Sequence, residues 1–198
     1  MTNIGTIILA AGGSSRMGQP KQLLRFKNKT MLRHTVDTVL ESTCGDGVVV
    51  VTGAVHQQLA DECDGLPVSV IENSNWQMGM STSIRAGLKA LEKMRPDNLR
   101  GVLIILCDQP FITAGHLDNL ADMFTTRGYR GIAATGYDST VGAPAIFSRD
   151  LFEQLYQLNG DKGAKELINN PENKLLCVPF HPASIDLDTM DDYLALTP

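Results

Sequence analysis

No stretch of this sequence is apolar for long enough to cross a bilayer as a helix, and no membrane partner is expected. The first residues show no leader pattern and run almost at once into a strand-like segment, so a cytoplasmic protein is expected. Cys44, Cys63, Cys107 and Cys177 stand far apart with no C-x-x-C pair, which suits reduced core thiols better than disulfides or a zinc site. His34, His56, His116 and His181 show no ligand spacing either, and surface or core-edge positions are expected for them. There is no Ser-His-Asp set and no sign of an activated cysteine, so covalent catalysis is not implied. Linkers, repeats and low-complexity segments are also missing. One domain over residues 1–198 is expected, with enough apolar residues for a full core.

Acidic residues are absent from Met1 to Thr35, where Arg16, Lys21, Arg25, Lys27, Lys29 and Arg33 are all basic. The rest of the chain is acidic enough to bring the net charge to -5. A local positive patch on an acidic protein points to a small polyanion held at one place. Nucleic acid would need a broader basic face and is not expected. For Arg25, Lys27 and Lys29 the plainer reading, solvation of a turn, is preferred.

What the patch surrounds is Leu9-Ala10-Ala11-Gly12-Gly13-Ser14-Ser15-Arg16-Met17-Gly18-Gln19-Pro20-Lys21, directly after the strand-forming run Thr6–Leu9. Glycines let a backbone turn sharply and bring its N–H groups close to a ligand. Arg16 adds a planar charged fork and Lys21 a mobile point charge. The combination describes a lip over phosphates at a strand end. It is not a P-loop, because Gln19 stands where that motif needs lysine. Nor is it a G-x-G-x-x-G fingerprint, and Pro20 opposes a helix starting straight after the glycines.

Downstream, the pattern alternates: strand Ile7–Leu9, helix Met31–Glu41 opened by Thr30, strand Gly47–Val51, helix Val55–Glu62, strand Val68–Ile71. This order predicts a parallel sheet with right-handed crossovers. The polar stretch 73–83 leads into a helix whose Ile84, Gly87, Leu88 and Leu91 share a face, and such an approach suits an anion or a base edge. Ser81 and Ser83 read equally well as helix caps. Strand Gly101–Leu106 ends in Asp108-Gln109-Pro110, and an aspartate at the carboxyl end of a central strand faces the ligand crevice. With a phosphate loop nearby, Asp108 reads as a Mg²⁺ ligand. Helix Ala114–Arg127 capped by Thr113, strand Ile132–Thr135, strand Gly142–Phe147 and helix Arg149–Leu158 follow. Asp161, in the charged turn after them, fits an N-cap. Near the end, Asp186 and Asp188 alternate with Ile185 and Leu187, so both carboxylates are expected on one side of a strand end, where a cation would relieve their repulsion. Thr189 and Asp192 form a capping box for the last helix.

The loop Leu9–Lys21 resembles the signature of the MobA-like nucleotidyltransferases, and its Ala-Ala-Gly form is similar to the molybdenum cofactor cytidylyltransferase branch. The resemblance extends through Asn73-x-x-Trp76-x-x-Gly79-Met80-Ser81-x-Ser83, Asp108-Gln109-Pro110, Gly142-x-Pro144, Gly160-Asp161-x-Gly163-Ala164-Lys165 and Asp186-Leu187-Asp188. It implies a Rossmann-like three-layer α/β sandwich with a mostly parallel sheet and one reversed strand, for which Gly142–Phe147 is the candidate. It also implies nucleotide contacts at Leu9, Ala10, Ala11, Gly12, Gly13, Ser14, Asn73, Gly79 and Ser83, with Arg16 and Lys21 catalytic. The metal would fall to Asp108 and Asp188, with Asp186 in reserve, and the acceptor to Gly142, Pro144, Asp161 and Lys165. Met190 stands where the family has proline, a departure that touches the last helix rather than the metal.

The expected activity is Mg²⁺-dependent transfer of CMP from CTP to the phosphate of molybdenum-loaded molybdopterin, releasing pyrophosphate, with a molybdoenzyme as possible client. The reaction class follows from the residues and the pterin acceptor from the resemblance alone. Transfer to a sugar or polyol phosphate, and a non-catalytic carrier of the finished cofactor, stay open as alternatives.

Overall fold

A computed structural model describes residues 2–14, 17–187 and 189–196. The sheet is built outward from β1 (Ile4–Ala10), which is buried at every position. After the loop, β2 (Arg25–Phe26) and β3 (Lys29–Thr30) form a small hairpin. Its two turn residues, Lys27 and Asn28, both have positive φ, as a type I′ hairpin turn requires. Arg25, Lys27 and Lys29 are exposed on it, in keeping with the turn reading. Helix α1 (Met31–Leu40) starts at Thr30, whose hydroxyl accepts the Arg33 N–H. Then come β4 (Val48–Thr52), α2 (His56–Glu62), β5 (Val68–Glu72), α3 (Met80–Met94) and β6 (Gly101–Leu106). The remaining elements are α4 (Ala114–Thr126), β7 (Ile132–Tyr137), β8 (Thr140–Ser148), α5 (Phe152–Gln157), α6 (Lys165–Ile168), β9 (Leu175–Pro179) and α7 (Met190–Leu196).

Seven strands form one sheet in the order β5-β4-β1-β6-β8-β7-β9. All neighbours pair in parallel except β8, which is antiparallel to both β6 and β7. The α/β architecture with one reversed strand therefore holds, and the reversed strand contains Gly142–Phe147. One apolar layer lies between the sheet and α1, α2 and α4, through residues such as Val36, Leu59 and Phe124. The other joins α3, α5 and α6 through Leu88, Leu155 and Ile168. A third, smaller cluster gathers Met17, Leu24, Phe26, Met31 and Leu187 beside the loop. No helix among the described residues is long and apolar enough to cross a membrane.

Several local expectations change. The helix expected at Arg149–Leu158 is a 3-10 turn, Arg149–Leu151, running into α5. Residues 185–187 join no strand, so the expected alternation of Asp186 with its neighbours does not arise from a sheet there. Edge strand β9 was not foreseen, because its buried side chain is Val178 alone. Cys44, Cys63 and Cys107 are buried as expected, but Cys177 on β9 is exposed. His116 is not at a surface: it is 2% exposed, stacks on Phe180 with ring centroids 4.2 Å apart, and its Nε2 lies 2.8 Å from Thr135 Oγ1. Burial lowers its pKa to about 4, so the ring is neutral.

Candidate active site

The chain leaves β1 toward α1 and β4 on one side, while β6 flanks β1 on the other. A crevice beyond the carboxyl ends of β1 and β6 lies at such a divergence, where open α/β sheets bind ligands. Two adjoining cavities occupy it. The first, about 330 Å³, is walled by Leu9, Ala11, Gly12, Lys21, Trp76 and Asp108, among others. The second, about 180 Å³, is largely apolar, with Ile84, Ile104 and Phe147 inside and Tyr137, Lys165 and Asp186 among its polar residues. Met80 and Leu106 belong to both walls.

The loop after β1 is braced from within. Gln22, 1% exposed, donates from Nε2 to the carbonyls of Ala10 (3.1 Å) and Gly12 (2.7 Å). The C=O and N–H of one trans peptide point opposite ways, so the N–H groups of Ala11 and Gly13 face away from Gln22. Ser14, at φ 51, accepts the Lys21 N–H on its Oγ at 3.0 Å. Gly13 and Gly53 are needed for a different reason: the Trp76 ring lies so close that a Cβ would sit 2.9 Å or less from it at each. Gly12 has open space instead, on the cavity side. Leu9, Ala11 and Gly12 thus form wall, while Ala10, Gly13 and Ser14 shape the loop behind it. Gln22 was missed by sequence reasoning. The signal available for it is a glutamine directly after the lysine that closes the glycine loop.

Lys21 Nζ lies 2.5 Å from Asp108 Oδ2, a pair with one fifth or less of either side chain exposed. Asp108 Oδ1 is buried with no hydrogen-bond partner among the described residues. A desolvated carboxylate oxygen without a donor is the arrangement a hard cation satisfies, so Asp108 fits a metal ligand. Cys107 beside it is pushed up to about 12, by burial first and by the Asp108 charge second. It is a packed thiol, not a nucleophile. Arg16 and Asp188 lie outside the described residues. Their chain neighbours Met17 and Leu187 share the small apolar cluster, and the Leu187 N–H donates to the Asp108 carbonyl at 3.0 Å.

At the start of α3 the cap position is Gly79, at φ 105, and neither Ser81 nor Ser83 caps the helix. Asn73 is buried and committed: Nδ2 donates to Thr82 Oγ1 (2.7 Å) and Ser83 Oγ (2.9 Å), and Oδ1 accepts the Asn75 N–H. It braces the start of α3 and is not in the first cavity's wall. Ser83, in the first cavity's wall, accepts from Asn73 and donates to no described residue, so its proton is available to a ligand. Ser81 Oγ is buried with no hydrogen-bond partner among the described residues.

The expected acceptor residues divide. Gly142 and Lys165 line the second cavity. Gly142 is there because a Cβ would meet the Tyr137 hydroxyl at 2.5 Å. Pro144 is buried behind the wall, and its carbonyl accepts from Thr135 Oγ1. Asp161 belongs to the first cavity, its Oδ1 pressed over Gly79. It caps nothing, since the residue before α6 is Ala164. Asp186 is in the second cavity's wall with Tyr137, whose pKa is raised by burial first and then by the charges of Asp186 and Asp108. Tyr137 had no signal in the sequence beyond its distance from Gly142.

The family model for the MobA-like NTP transferase domain matches residues 6–175. The purine catabolism protein PucB of Bacillus subtilis is 29% identical over 194 residues, covering 93% of this chain and 90% of that protein. The bifunctional protein GlmU of Francisella tularensis is 30% identical over 166 residues, but the chain spans only 34% of its length. Among solved structures, Rv0371c of Mycobacterium tuberculosis superposes with a TM-score of 0.80 at 30% identity, covering 98% of this chain and 96% of that one. A structure of Rv0371c in complex with manganese superposes at 0.76.

Proposed function

The chain belongs to the MobA-like NTP transferase domain family, and on that footing we propose that it transfers a nucleotidyl group from a nucleoside triphosphate, CTP first among them, to the phosphate of a molybdopterin-type acceptor. The observation that carries this reading is Asp108: one oxygen held by Lys21, the other buried with no hydrogen-bond partner among the described residues, in the wall of a cavity that adjoins a second one. The first cavity suits the nucleotide. Ser83 offers it a hydroxyl donor, the loop offers backbone N–H groups, and Lys21 supplies charge for the phosphates.

The second cavity favours a flat heterocyclic acceptor over a sugar or polyol phosphate. Ile84, Ile104, Ala145, Phe147 and Ile168 suit the two apolar faces of a ring that keeps its polar groups on its rim. A polyol carries hydroxyls on every side, and this wall would leave them without partners. Lys165 is placed to take an anionic group at its edge.

An acceptor phosphate is already ionised near neutral pH, so attack on the nucleotide α-phosphate needs no general base. Alignment and charge neutralisation carry the barrier. Lys21, and Arg16 with it, would hold the triphosphate and the departing pyrophosphate. A divalent cation, Mg²⁺ in this reading, would be held by Asp108 with Asp188, Asp186 standing in reserve. Bound there, it would supply charge neutralisation at the phosphate oxygens.

Incubation with Mg²⁺, each nucleoside triphosphate in turn and molybdopterin, with pyrophosphate counted, tests the assignment. Acceptor-dependent release with CTP is expected. Release only with a sugar or polyol phosphate would move the acceptor, and no turnover of any triphosphate would leave a carrier instead.

A further inference from the structure

The second cavity is bordered by an irregularity in the sheet. Between β7 and β8 the register shifts, so that Ala134 pairs with Ala145 but Thr135 pairs with Gly142. Ala143 and Pro144 bulge out of the ladder, and their carbonyls need other donors. The Pro144 carbonyl is taken by Thr135 Oγ1 at 2.7 Å. The Ala143 carbonyl is taken by Gln109 Nε2 at 3.3 Å, and the same nitrogen donates to the Ala183 carbonyl at 3.1 Å.

Gln109 thereby touches three segments that sequence separates widely. It follows Asp108 directly at the end of β6. It stands in the second cavity's wall itself and holds the bulge that brings Gly142 and Ala143 into that wall beside it. And it holds the 3-10 turn His181–Ser184, from which the chain runs to Asp186 and to Leu187, whose N–H returns to the Asp108 carbonyl. Both partners of the amide nitrogen are carbonyls, which fixes the orientation of the side-chain amide. Its Oε1 is left buried with no hydrogen-bond partner among the described residues, in a side chain only 4% exposed. A buried acceptor without a donor costs stability, about 1–3 kcal/mol as a class. What offsets that cost is the double tie that its Nε2 makes to the Ala143 and Ala183 carbonyls.

We propose that Gln109 is the positioning residue that sets the acceptor wall and the C-terminal acidic segment at a fixed offset from Asp108. It touches neither triphosphate nor reacting phosphorus. It acts by holding Ala143 and Ala183, and so fixes where an acceptor phosphate arrives relative to the Lys21–Asp108 pair. The functional half of this inference rests on the transferase reading. The structural half does not.

The test uses Gln109→Met, which keeps the side chain's length and removes both donors, and Gln109→Glu, which keeps its shape and sets a carboxylate against the two carbonyls. Backbone hydrogen exchange is measured in wild type and in both variants, together with CTP affinity by titration and pyrophosphate release with molybdopterin as acceptor. Faster exchange is expected at both 140–145 and 181–187, more so in Gln109→Glu, while α1 and β4 keep wild-type protection. Acceptor-dependent kcat/KM should fall about 10- to 100-fold, the range for outer partners of a metal site, with CTP affinity within about twofold of wild type. Exchange that rises in only one of the segments, or in neither, overturns the proposal. So does an equal loss of CTP affinity and acceptor turnover. If both segments loosen and even wild type releases no pyrophosphate, the tie stands and the transferase reading is what fails.

Discussion

Asp108→Asn keeps the side chain's shape and removes its charge, leaving the Lys21 ammonium against a neutral amide. If Asp108 and Lys21 act together on phosphates, the expected loss in pyrophosphate release is about 10²–10³-fold, with thermal unfolding little changed. Lys21→Met should cost a similar factor. A variant that keeps wild-type turnover removes Asp108 from the chemistry. His116 carries a different prediction. Its pKa is about 4 in the folded chain and 6.5 as its ordinary value, so between those pH values the unfolded chain binds a proton that the folded chain does not. Stability therefore falls as pH drops from about 6.5 to about 4, by at most roughly 1.4 kcal/mol per pH unit. Urea unfolding across that window should show the slope in wild type and lose it in His116→Gln.

Among the elements, the tightest constraint is the cap of α3. Gly79 is at φ 105, and a Cβ there would lie 2.4 Å from the Gly160 carbonyl carbon, a backbone atom that cannot swing aside. Gly79→Ala should cost about 1–3 kcal/mol in unfolding free energy and weaken CTP binding, since Asp161 must move with Gly160. Calorimetry and nucleotide titration check the two effects. The elements were legible where pattern is local: the valine run of β4, the apolar face of α3, the Thr30 and Thr113 caps, and the apolar reversed strand around Ile146. Contacts between distant segments were not. Gln22 and Gln109 read as ordinary polar residues until folding places carbonyls around them. The register shift beside Thr135, and the placement of Asp161 over Gly79 in the first cavity's wall, likewise depend on chain that comes from elsewhere.

Taken whole, the molecule brings no group of three His, Cys, Asp or Glu side chains together among its described residues. Mg²⁺ takes one or two carboxylates and fills its shell with water and phosphate oxygens. A cation held at Asp108 together with a triphosphate would therefore bind cooperatively with it, each strengthening the other equally. Mn²⁺ titrated without nucleotide is expected to bind weakly, and at least about fivefold more tightly with CTP present. EDTA should abolish turnover without unfolding the chain. Equal Mn²⁺ affinity in both titrations would count against the shared site.

Met80 and Leu106 form a partition with a compartment on either side. On the proposed reading, two reactants arriving separately would each fill one chamber, while the joined dinucleotide would straddle the divide and grip both at once. Such a bidentate occupant leaves only when both ends let go together, so its departure lags behind bond formation. Rapid mixing should therefore show a first turnover of pyrophosphate faster than all later ones, and trimming Met80 to alanine should shrink that initial burst.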